Sequence, residues 1–61
     1  MTESELYQAA RIMRSMGSFA YSISEAYFVA DTENRETLTQ AFKGLFQRAL
    51  ELSNTTTTQE G

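Results

Sequence analysis

Apolar or small residues recur along the first half of the chain at Leu6, Ala9, Met13, Met16, Ala20, Ile23, Tyr27 and Ala30, a 3-4-3-4-3-4-3 spacing. A strand alternates with period two, whereas this pattern gathers all eight side chains on one face of a helix. The seam passes through Met16-Gly17-Ser18 without losing phase. A glycine there would ordinarily end a helix, with Ser18 free to cap the next one. A loop, however, would have to restore the phase by coincidence, and an interior glycine costs only ~1 kcal/mol relative to alanine. One helix over residues 3–30 is therefore expected, about 42 Å long at ~1.5 Å per residue, with two shorter helices cornered at Gly17 as the alternative. Thr2 and Glu5 stand at the spacing of a capping box, and Glu3 and Glu5 suit the positive end of the helix dipole. Ala10, Gly17 and Ser24 repeat every seven residues on the flank of the seam, where small side chains let another helix approach closely.

Asp31-Thr32-Glu33-Asn34 interrupts this pattern with residues that favour helix N-caps. A second seam follows at Leu38, Phe42, Leu45, Ala49 and Leu52, spaced 4-3-4-3, and predicts a helix over 33–53. The short connection makes the two helices antiparallel neighbours, so the expected fold is all-α, an antiparallel helical hairpin with a long first helix. Residues 1–53 form the single helical domain in this reading. Residues 54–61 (Asn54-Thr55-Thr56-Thr57-Thr58-Gln59-Glu60-Gly61) have neither apolar residue nor period, and a disordered polar tail is expected.

Size then bears on assembly. Below ~70 residues a single core seldom contributes more than ~3–5 kcal/mol, and short chains add disulfides, metals or partner subunits. This chain has 61 residues and no Cys or His, yet seven aromatic residues. Self-association is the remaining route to a sufficient core, and a homodimeric helical bundle is expected. Its core would be Leu6, Ala9, Met13, Met16, Ala20, Ile23, Tyr27, Leu38, Phe42, Leu45, Ala49 and Leu52, with Phe19 and Phe46 flanking. Tyr7, Tyr21 and Phe28 fall outside both seams, 14 and 7 residues apart, with Arg14 between them. A hairpin has one inward side per helix, so this second stripe, which Val29 borders, would face water. Stripes of that kind mark interfaces. Burial in the dimer is one reading of Tyr7, Arg14, Tyr21 and Phe28, and docking of another protein is the other.

Several functions are disfavoured. The longest apolar run, Ala26-Tyr27-Phe28-Val29-Ala30, is far short of the ~20 residues of a membrane helix. Met1-Thr2-Glu3-Ser4-Glu5 lacks the basic-then-apolar order of a signal peptide, so a cytoplasmic location is expected. No hydroxyl has a histidine to activate it and no glycine-rich phosphate cradle exists, so no catalytic residue, cofactor or metal is assigned. Asp31 to Glu36 resembles the opening of a calcium loop, but the sixth position is Glu36 rather than glycine and the twelfth is Phe42, so capping explains these residues better. Asn54-Thr55-Thr56 matches a glycosylation acceptor, which has no meaning without secretion. The basic residues Arg11, Arg14, Arg35, Lys43 and Arg48 are sparse on a chain of net charge -3, which argues against nucleic acid as a partner. Arg48 and Glu51 are expected to form a surface ion pair.

The stretch Ala41 to Leu52 has a superficial likeness to the second helix of a tetratricopeptide repeat, but the repeat period is missing. A broader likeness covers residues 2–50 through Tyr7-Gln8-Ala9-Ala10-Arg11, Gly17-Ser18-Phe19-Ala20, Glu25-Ala26-Tyr27-Phe28-Val29-Ala30-Asp31, Leu38, Ala41-Phe42 and Leu45-Phe46-Gln47-Arg48. In these the chain resembles the small early proteins of temperate lambdoid bacteriophages, of the exo–xis region type. The resemblance implies a phage-encoded, non-enzymatic helical protein of the bacterial host cytoplasm that influences phage development by contacting a host or phage protein. It transfers no catalytic residue. Inhibition of a host defence system and DNA-associated transcriptional regulation are the alternatives. The first would suit carboxylates gathered on one face, whereas along the sequence they are scattered.

Overall fold

The computed structural model of the chain describes residues 1–60, with side chains through Asn54. Four helices follow one another, α1 Glu3–Met13, α2 Ser18–Val29, α3 Thr32–Ala41 and α4 Lys43–Glu60, and the described residues contain no strand. The architecture is all-α. The polar tail assigned to 54–61 lies, after Asn54, outside the residues whose side chains are described.

The start of α1 is set locally. The Thr2 amide donates to Glu5 Oε1 at 2.9 Å while the Glu5 amide donates to Thr2 Oγ1 at 3.1 Å, a reciprocal capping box. Its end overturns the expectation of one helix over 3–30. The amides of Arg14, Ser15 and Met16 still donate to carbonyls three residues back, but Gly17 then takes φ 104° and ψ 168°. That conformation is open to glycine and strained for other residues. The chain doubles back there because doing so lets α1 and α2 cover one another. Ala10 and Ser24, two of the small residues flanking the seam, are fully buried. Ser24 Oγ donates to the Tyr21 carbonyl at 2.7 Å, so burying the hydroxyl leaves no unmet donor.

The expected second helix is also divided. Asp31 caps α3 by accepting from the Asn34 amide at 2.9 Å, which is the capping role foreseen for this segment. Phe42 leaves the helical region at φ -116° and ψ 36°, although its carbonyl accepts from the amides of Leu45 and Phe46 and so begins α4 at once. The departure turns the Phe42 ring edge-on to Phe19, with centroids 5.8 Å apart. Met1 and Leu6 flank a groove with Lys43 and Gln47, and farther along Gln8 Nε2 donates to Ser53 Oγ at 3.1 Å. The helices α1 and α4 therefore lie against one another. In place of two long antiparallel helices, α1 packs against both an antiparallel α2 and α4, with α3 joining the two.

The core is small and close-packed. Ala9, Ala10, Met13, Ala20, Tyr27, Phe46 and Ala49 are buried, and the four alanines among them reflect how nearly the helix backbones approach. Of the seam residues, Leu6, Met16, Ile23, Leu38, Phe42 and Leu45 are half-buried against this core. Leu52 does not join it and remains 45% exposed. The reorientation at Phe42 turns Phe46, Ala49 and Ser53 inward on α4 instead.

Candidate interaction surface

Aromatic side chains run in a chain of edge contacts from the surface to the core. The Tyr7 ring meets Phe28 at 5.5 Å, Phe28 meets Tyr27 at 5.7 Å, and Tyr27 meets Phe46 at 5.6 Å. The first two pairs are near perpendicular, the arrangement that the ring quadrupoles favour. Only the outer end is open to solvent, with Tyr7 53% exposed and Tyr27 and Phe46 buried.

Arg14 closes the outer cluster. Its Nη1 donates to Glu25 Oε2 at 3.0 Å and its Nη2 to the Tyr21 hydroxyl, also at 3.0 Å. The guanidinium carbon lies 4.7 Å from the Tyr21 ring centre and 6.0 Å from that of Phe28, within cation–π range. Among the described residues this is the single ion pair; Arg48 and Glu51 do not pair with each other. Two exposed long side chains gain little by meeting in water, which is the physical reason that pair is not held.

Tyr7, Arg14, Tyr21 and Phe28 thus come together, although not as a stripe on one long helix. The turn at Gly17 folds Tyr7 and Arg14 onto Tyr21 and Phe28 from the facing helix. Phe28 becomes half-buried, while Tyr7 and Tyr21 keep the exposure of a surface patch.

A second surface lies where α1, α3 and α4 converge. A groove of about 460 Å³ is lined by Met1, Leu6, Thr39, Gln40, Lys43 and Gln47. A smaller one of about 170 Å³ adjoins it at Leu6 and Thr39 and includes Glu3, Arg35 and Glu36. Glu3 and Glu36, far apart in sequence, here share one concavity. In the sequence Arg35 stands out only as one of five sparse basic residues. In the structure its Nε donates to the Tyr27 carbonyl at 3.0 Å, and its guanidinium lies 4.9 Å from the Tyr27 ring centre. No local pattern could have revealed this, because the contact spans the α2–α3 turn.

Among the described residues no group of acidic side chains is placed to hold a metal ion, and no helix is long and apolar enough to cross a membrane. The sequence matches no protein family, no curated protein and no solved structure.

Proposed function

We propose that this chain is a small non-enzymatic interaction protein that self-associates as a homodimer and acts by contacting another protein. The phage resemblance extends the reading to a regulator of phage development in the host cytoplasm, biasing lysis against lysogeny. The observation that carries it is the cluster of Tyr7, Arg14, Tyr21 and Phe28. It presents exposed aromatic rings around a guanidinium that donates to both Glu25 and the Tyr21 hydroxyl. Aromatic residues and arginine dominate the energetics of protein interfaces, and an anchor held in place before binding loses less conformational freedom on docking. The absence of His and Cys from the sequence is in keeping with a binding role rather than catalysis.

The test pairs Tyr7→Ser with Tyr21→Ser, the two most exposed rings of the cluster. The double variant is expected to keep its helicity and its dimer mass while losing capture of the wild-type partners from infected host lysate. Loss of neither partner capture nor the overexpression phenotype in a folded variant removes the cluster from the functional account.

One observation favours a second reading, inhibition of a host defence protein by an acidic surface. The fold brings Glu3 of α1 and Glu36 of α3 to one groove, although they are distant in sequence. In that case Glu3→Lys with Glu36→Lys abolishes function and the Tyr7/Tyr21 variant does not.

A further inference from the structure

The corner at Gly17 divides a seam that is continuous in sequence, and the local structure keeps nearly everything ready for the undivided helix. Arg14, Ser15 and Met16 already make right-handed turn hydrogen bonds, and the Tyr21 amide donates to the Gly17 carbonyl, so α2 begins immediately. Gly17 alone takes a positive φ among the described residues. The first turn of α2 also has no side-chain cap, which leaves its leading amides without the partners that a preceding helical turn would supply. A methyl group built on Gly17 would meet nothing within 4 Å, so only the φ of 104° resists a side chain at the corner.

The pairing across the corner is symmetric about it. Tyr7 lies ten residues before Gly17 and its partner Phe28 eleven after, while Arg14 lies three before and its partner Tyr21 four after. Two undivided helices crossing antiparallel at Gly17 would therefore bring the same residues together, each from a different chain. We infer that Gly17 is an exchange hinge. It can open so that residues 3–30 form one helix and α1 of each protomer docks on α2 and α4 of a second copy. The occupant of the vacated site is then α1 of the partner, whose side chains match that site by construction. Such exchange links two chains without requiring any new complementary surface.

This inference deepens the self-association proposed above and rests on it, and the following experiment separates the two. Nitroxide labels are placed at Ser4→Cys and Val29→Cys, both exposed positions on a chain with no other cysteine. Labelled chains are diluted into excess unlabelled protein so that the measured distance is within one chain, and mass is followed by sedimentation. Twenty-five residues of continuous helix separate the labels by ~37 Å, whereas the closed corner keeps them at less than about half of that. The expected result is dimers carrying the long distance. Gly17→Ala, which disfavours the corner and favours helix, should raise their fraction about tenfold or more. Inserting two glycines after Gly17 breaks the seam's phase and should restore the short distance. Dimers with only the short distance in wild-type protein overturn the exchange while leaving self-association standing. Protein that stays monomeric with the short distance up to millimolar concentration overturns both.

Discussion

Arg35 ties α3 to the end of α2, and its removal gives a quantitative test of how this small fold is held. The residue is half-buried, its Nε donates at 3.0 Å to the carbonyl of Tyr27 near the end of α2, and its guanidinium lies over the buried Tyr27 ring at 4.9 Å. A hydrogen bond from a charged donor contributes ~1.5–3 kcal/mol, and a partly desolvated cation–π contact adds ~0.5–2 kcal/mol. Both are discounted because Arg35 keeps some solvent, so Arg35→Ala should cost about 2 kcal/mol. A chain of this length has only ~3–5 kcal/mol in total, so the loss is a large fraction of its stability. Arg35→Lys retains charge but loses the planar fork, and should cost about 1 kcal/mol. Urea unfolding followed by far-ultraviolet circular dichroism, at one fixed protein concentration, measures both. The midpoint should fall in the order wild type, lysine, alanine. An alanine variant within ~0.5 kcal/mol of wild type, the ordinary range for exposed sites, refutes the clamp.

Three further outcomes follow from the packing. Phe46 is fully buried at the end of the aromatic chain, so Phe46→Ala should cost ~3–5 kcal/mol and leave the protein largely unfolded by circular dichroism at room temperature. Thr2→Ala removes the hydroxyl half of the capping box and should cost ~1 kcal/mol in the same urea assay, with the Glu5 amide losing its protection against hydrogen exchange. Phe28→Ser should destabilise by at least about 2 kcal/mol more than Tyr21→Ser, because Phe28 stacks against both Tyr7 and Tyr27 whereas Tyr21 is 42% exposed. Equal costs at the two positions would show that the cluster is packed differently.

The helical character of this chain, the faces of its helices and two of its helix starts are local properties, and the sequence alone determined them. Thr2 with Glu5, and Asp31 before the third helix, cap through hydrogen bonds three residues long, so the residues involved carry the whole signal. The seam from Leu6 to Ala30 likewise identified residues that are buried or half-buried without exception, because helical periodicity fixes which side chains share a face. What periodicity does not fix is whether the face stays on one axis. At Gly17 the phase is the same for a straight helix and for one folded back on itself, and the contacts between Tyr7 and Phe28 and between Arg14, Tyr21 and Glu25 belong only to the folded form. At Phe42 the gain of an edge contact with Phe19 turned the next helix, exchanging Leu52 for Phe46 and Ser53 in the interior. The Arg35 clamp and the meeting of Glu3 with Glu36 have the same origin. Each is a contact between residues far apart along a helix or across a turn, where the free energy depends on how whole helices lie against one another rather than on any local run of residues.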